Sequence, residues 1–141
     1  MPVRVYIVED HPIMRETLQD YLALETDLEI CGMAESAEAA SEALEAASPG
    51  VVLVDLSLPG RSGLELVQEI QERWGTPCVI LSGHGERTYV GRALACGARG
   101  YVLKGNPRDL RLAIAHVLEG EIYLSSTLRQ KLDYEPDARG A

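Results

Sequence analysis

Two periodicities alternate along the chain. Short continuous apolar runs are each followed by a stretch whose apolar residues recur every three to four positions. The clearest run is Val51-Val52-Leu53-Val54, closed by Asp55. Four apolar residues in a row, three of them β-branched, read as a strand buried on both faces. Val3 to Val8, Cys78 to Ser82 and Tyr101 to Lys104 have the same character. Leu28 to Met33 is weaker, alternating and interrupted by Gly32, which places it at a sheet edge.

The stretches between the runs predict helices. Ile13/Met14, Thr17/Leu18 and Tyr21/Leu22 fall at helical spacing behind Glu9-Asp10-His11-Pro12, with Pro12 tolerable in a first turn. Ser36 can cap an alanine-rich helix from Glu38 to Ala47, and Ser62 can cap a third with the stripe Leu66, Val67, Ile70 and Trp74. A fourth runs from about Glu86 to Cys96 and is weakened by Gly91. The fifth is capped by Asn106 with Pro107 at its first position, and its stripe is Leu110, Ala113/Ile114 and Val117/Leu118. Strand and helix thus alternate five times. That pattern predicts an α/β protein: a single flavodoxin-like (βα)5 domain whose five-stranded parallel sheet has the order 2-1-3-4-5, with helices on both faces. After Leu132 no apolar period remains, so the tail from Asp133 is expected to be loose.

Composition narrows the function classes. A chain of 141 residues suffices for one domain, and 46% hydrophobic with 25% charged residues is ordinary for a soluble globular protein. The net charge of -9 argues against direct binding to nucleic acid or an anionic membrane, since both require Lys/Arg surfaces. With no long apolar run and no charged-then-apolar leader, the expected location is the cytoplasm. Cys31, Cys78 and Cys96 are odd in number and lack CxxC spacing, so they read as reduced thiols. His11, His84 and His116 show no metal-ligand spacing.

The candidate chemistry lies at strand ends. A carboxylate just past a buried strand needs a partner, because an unpaired charge in a dry site costs several kcal/mol. Strand carboxyl ends open onto the ligand crevice of such a sheet, and the expected strand order sets Glu9 and Asp10 beside Asp55. Three clustered carboxylates repel one another unless protons or a cation intervene, and oxygen ligands suit Mg²⁺. The next two strand ends add Ser82 and Lys104. A cation, a hydroxyl and an ammonium around one carboxylate form a cradle for a phosphoryl group.

Glu9-Asp10, Asp55, Ser82 and Lys104, each closing a strand in this order, resemble the receiver domain of two-component response regulators over about residues 3 to 120. Asp55-Leu-Ser-Leu-Pro-Gly-Arg-Ser-Gly-Leu-Glu, Gly97-Ala-Arg-Gly-Tyr-Val-Leu-Lys, the opening Glu-Asp-His-Pro and the late Glu119-Gly-Glu-Ile-Tyr-Leu-Ser look like the NarL/LuxR-type subfamily. The resemblance implies that Asp55 accepts a phosphoryl group from a sensor histidine kinase. It implies that Glu9, Asp10, Asp55 and the Ser57 backbone carbonyl bind Mg²⁺, with Lys104 and Ser82 on the phosphoryl oxygens. Ser82 and Tyr101 would form the switch, moving the surface of helix four, strand five and helix five. Ser57 and His84 would set the phosphate lifetime, and the protein would be a signalling domain rather than an enzyme. The kinase would dock on Pro12, Ile13 and Met14 with Gly105, Asn106 and Pro107, on the rim of the crevice, and phosphorylation would favour a homodimer. The receiver is set at residues 1–121 and a C-terminal extension or linker at 122–141. Regulators of that subfamily continue into a DNA-binding helix-turn-helix module, which is expected to be absent here. Many receivers follow the lysine with proline, whereas Gly105 follows Lys104 and the proline comes at 107.

Plainer readings stand beside these. Glu9 and Asp10 could simply be acids favoured at a helix start. Tyr101 could be an ordinary core aromatic. An aspartyl phosphohydrolase of the haloacid-dehalogenase kind would need Asp-x-Asp, and Ser57 occupies the second position. Ser82-Gly83-His84-Gly85 lacks the Gly-x-Ser-x-Gly pattern of a nucleophile elbow. A pseudo-receiver serving only as a docking module is the third class, and the intact acids, hydroxyl and lysine speak against it.

Overall fold

The computed structural model describes residues 2–104 and 109–132. Its elements run β1 (Val3–Val8), α1 (Pro12–Ala23), β2 (Leu28–Ala34), α2 (Ala37–Ala47), β3 (Val51–Asp55), α3 (Gly63–Arg73), β4 (Cys78–Ser82), α4 (Arg87–Ala95), β5 (Gly100–Leu103), α5 (Asp109–Leu118), β6 (Tyr123–Leu124) and α6 (Ser126–Leu132). All strand pairs are parallel. The expected α/β architecture is present, with one correction. The sheet has six strands in the order β2-β1-β3-β4-β5-β6 rather than five. The sixth lies within the stretch assigned to the extension at 122–141. Its two residues are too few to show a period, and they are recruited by pairing with Gly100 and Tyr101.

Strand alternation feeds two separate cores. Val5, Ile7, Val51, Leu53, Val79, Leu81 and Val102 point to one face, under Leu18 and Leu22 of α1 and Leu110, Ala113, Ile114 and Val117 of α5. Tyr6, Val8, Val52, Val54, Cys78, Ile80 and Tyr101 point to the other, under α2, α3 and α4, with Leu124 and Leu128 in the same cluster. Every residue of β3 and β4 is buried, which is what a continuous apolar run requires of a central parallel strand.

Local signals explain the helix starts. The Ser36 hydroxyl accepts the Ala39 N–H, and Ser62 and Glu65 form a capping box at α3. The cap expected from Asn106 and Pro107 lies outside the described residues. Edge strand β2 pairs with β1 through a register shift at Val5/Tyr6, where a Cβ on Gly32 would come within 2.6 Å of the Tyr6 ring. Ile13 and Leu118, expected in apolar stripes, are instead 80% and 40% exposed, because α1 and α5 turn only the Leu18/Leu22 and Leu110/Ile114/Val117 rows inward.

Candidate functional site

Parallel pairing aligns the carboxyl ends of the central strands. Asp55 registers with Leu81, and Ser82 with Leu103, so Asp55, Ser82 and Lys104 emerge at one sheet edge. β1 pairs with β3 up to Val8 and Val54, which delivers Glu9 and Asp10 to the same edge. Gly63 completes the placement. A Cβ there would be driven into the Asp55 carbonyl oxygen, so only glycine lets α3 start this close to β3.

Asp55 and Glu9 are both fully buried. The Ser57 N–H donates to Asp55 Oδ1 at 2.9 Å. Lys104 Nζ stands 3.2 Å from Asp55 Oδ2 and 3.3 Å from Glu9 Oε1, so one ammonium serves two carboxylates. Burial pushes the Asp55 carboxyl above its ordinary value; Glu9 adds to that rise, while the Ser57 N–H and Lys104 oppose it. Glu9 Oε1, Asp10 Oδ1 and Asp55 Oδ2 are buried and, beyond their ion-pair contacts with Lys104 and His11, have no hydrogen-bond partner. Under-satisfied, hard carboxylate oxygens gathered in one place are the donor set a Mg²⁺ ion takes, so the residues fit that ion.

The histidines show no metal-ligand spacing along the chain, yet the fold brings His11 into the acidic cluster. Its ring is drawn in from an exposed position: Nδ1 lies 2.7 Å from Glu9 Oε2 and 3.2 Å from Asp10 Oδ1. Ligand atoms of Glu9, Asp10, His11 and Asp55 all lie within 4.8 Å of one another. The hydrogen bond that the ring N–H donates to Glu9, with the charges of Asp10 and Glu9, pushes the imidazole above its ordinary value. The one signal in the sequence is adjacency to the acid pair, since residues at a β-to-α turn share one mouth. Arg15 was also missed. From α1 its guanidinium donates to the Glu9 carbonyl at 2.9 Å and holds that turn.

Ser82 is fully buried, and its hydroxyl is engaged beside the acids rather than with them: it accepts the His84 N–H at 2.9 Å and donates to the His84 carbonyl at 3.3 Å. Tyr101 is fully buried, and its hydroxyl donates to the same carbonyl at 2.6 Å. The ring of the expected switch residue is therefore inside in this structure, tied to the loop that follows Ser82. The exposed His84 ring lies over Tyr89, with centroids 5.0 Å apart. Ser57 is exposed at the mouth. Of the docking rim, Pro12 and Ile13 are exposed and Met14 half-buried, while Gly105, Asn106 and Pro107 lie outside the described residues.

Comparison with known proteins agrees with this geometry. The family model described as the response regulator receiver domain matches residues 5–115. The nitrate/nitrite response regulator protein NarL of Escherichia coli K12 is 32% identical over 129 residues, covering 90% of this chain and 60% of that protein. The transcriptional regulatory protein AruR of Pseudomonas aeruginosa is 40% identical over 114 residues, covering 78% of this chain and 47% of that protein. A LuxR-family two-component response regulator from Aurantimonas superposes with a TM-score of 0.89 at 28% identity, covering all of both chains. The signal receiver domain of the NarL regulator of Mycobacterium tuberculosis superposes with a TM-score of 0.79 at 30% identity, over 84% of this chain and 98% of that one. The chain spans about 60% of the length of NarL. Among the described residues no helix is long and apolar enough to cross a membrane.

Proposed function

The chain belongs to the receiver-domain family of two-component response regulators, related to NarL and LuxR-type members, and from that premise we propose that Asp55 is its phospho-acceptor, loaded by a sensor histidine kinase. The observation that carries the reading is the buried Asp55 carboxylate with Lys104 Nζ 3.2 Å from one oxygen and the carboxylates of Glu9 and Asp10 gathered alongside. In the transfer, an Asp55 oxygen forms the bond to phosphorus as the phosphorus–nitrogen bond to the donor histidine breaks, and the imidazole leaves. Glu9, Asp10, Asp55 and the Ser57 backbone carbonyl would hold Mg²⁺, which when bound supplies positive charge against the pooled carboxylates and the incoming phosphoryl oxygens.

The chain's own groups do the rest. Lys104, already paired with Asp55, keeps an ammonium where negative charge accumulates on the phosphoryl oxygens. The Ser82 hydroxyl leaves the His84 loop to donate to a phosphoryl oxygen, which releases the Tyr101 anchor at the same carbonyl. Exposed Ser57 and His84 govern water access and so the phosphate lifetime. The kinase docks on the rim at Pro12, Ile13 and Met14, together with Gly105, Asn106 and Pro107. The protein works in the cytoplasm, and its output is control of transcription through a DNA-binding domain outside this chain, with phosphorylation favouring a homodimer.

The test is intact mass after incubation with Mg²⁺ and acetyl phosphate. The expected result is a gain of one phosphoryl group, abolished in Asp55→Asn and on chelation of the metal. Uptake that persists in Asp55→Asn would overturn the assignment.

A further inference from the structure

Strand β5 carries Tyr101 and leads directly into Lys104, and it is not the sheet edge. Ser125, between β6 and α6, is fully buried against it. The Ser125 N–H donates to the Tyr101 carbonyl at 3.0 Å. The Ser125 hydroxyl accepts the Leu103 N–H, also at 3.0 Å. One residue thus takes the outward main-chain groups on both sides of Val102. Across the strand, the Lys104 N–H donates to the Ser82 carbonyl at 2.9 Å. The exit of β5 is gripped by Ser82 on its inner edge and by Ser125 on its outer edge. Side chains repeat the connection, because Leu124 and Leu128 share one buried cluster with Tyr101 and with Val90 and Ala93 of α4.

We propose that Ser125 is a positioning residue that ties the strand bearing Tyr101 and Lys104 to α6, so that the state of Asp55 is read on the β6–α6 segment. This rests on Asp55 being the phospho-acceptor. A phosphoryl group there draws in the Lys104 ammonium and the Ser82 hydroxyl, both held through the exit of β5. Leu103 cannot shift away from Ser125 without leaving a half-buried N–H unpaired, which carries a cost. The β6–α6 segment therefore follows, and the segment that moves first is the one already paired to β5 rather than an open strand edge.

The experiment is amide hydrogen exchange by NMR on the full chain, with Mg²⁺ alone and with Mg²⁺ plus beryllofluoride as the phosphoryl mimic. In the wild type, saturation is expected to change exchange at Leu103 and at residues 127–130 by about tenfold. In Ser125→Ala the Asp55 and Lys104 amides still shift, but the response at 127–130 disappears. Ser125→Thr, which keeps the hydroxyl, restores it. A purely structural role would alter exchange equally with and without the mimic. An equal response at 127–130 in Ser125→Ala overturns the coupling. So does a wild type whose Asp55 amide shifts while Leu103 and 127–130 stay unchanged, a result that does not depend on any variant folding. A wild type in which the Asp55 amide itself fails to shift overturns the phospho-acceptor reading, and the coupling with it.

Discussion

Two carboxylate clusters in this domain, one half-buried around Glu69 and one fully buried at Asp55 and Glu9, are treated in opposite ways. Glu69 on α3 receives the Ser41 hydroxyl at 2.6 Å and Arg73 and Arg61 at 2.7 Å each, so one carboxylate faces two guanidiniums and a hydroxyl. Asp55 and Glu9 share a single ammonium at 3.2–3.3 Å. Burial raises Glu69, but the bonds from Ser41, Arg73 and Arg61 outweigh it and hold its carboxyl at about 2. Burial also raises Asp55, and there the partners do not outweigh it. A carboxylate drawn well below its ordinary range by two guanidiniums and a hydroxyl ties α2, α3 and the loop after β3 together. One left short of donors waits for something from outside. Under-satisfaction at a strand end, rather than burial alone, marks the reacting group.

The largest expected effect separates the two by changing the under-served cluster. Asp10→Asn removes one of the clustered charges without emptying space. It should abolish phosphoryl uptake from acetyl phosphate, read by intact mass, while the urea midpoint stays level or rises, since like-charge repulsion is relieved. Uptake at the wild-type rate would mean that the acidic pocket is not the metal site.

The converse change is Glu69→Ala. It strands Arg61 and Arg73 without a shared partner and unties α2 from α3. A loss of about 2 kcal/mol is expected in urea unfolding, with phosphoryl uptake preserved. If Glu69→Ala instead slowed uptake at unchanged stability, the contrast between the two carboxylates would fail, and the Arg61 loop would have to be counted with the site.

The sequence makes these two clusters unequally visible. Glu9, Asp10, Asp55 and Lys104 are legible because each ends an apolar run, and parallel strands align their ends whatever the helices do. The Glu69 cluster is not. Its i,i+4 pair with Arg73 can be read off the sequence, but Ser41 and Arg61 come from other elements and meet it only through packing. β6 escaped for a related reason: a strand of Tyr123 and Leu124 has no period, and its evidence is hydrogen bonds to β5. Spacing along the chain does not reveal His11, because its partners are its immediate neighbours and Asp55. The position of Tyr101 matches a switch aromatic, but no sequence pattern says which way its ring points.

The smallest effect, about 1–2 kcal/mol once the solvent screening of the half-exposed arginines is allowed for, is the finest test of the contrast, because it turns on sign. Glu69 sits at about 2 when folded against 4.5 ordinarily. Between those values the unfolded chain binds more protons, so the Glu69 contribution is complete above about pH 4.5 and is lost as pH falls toward 2. Asp55 is displaced the other way, above 3.8. Between 3.8 and its folded value the native protein binds more protons, so acidification favours the fold at this group. Metal-free urea unfolding from pH 6 to pH 3 should therefore give two difference curves of opposite slope. The advantage of wild type over Glu69→Ala shrinks as pH falls, while the stability of wild type relative to Asp55→Asn grows. Curves sloping the same way would show that Asp55 is as well served as Glu69. Its oxygens would then have no unmet demand to draw in a cation or a phosphoryl group.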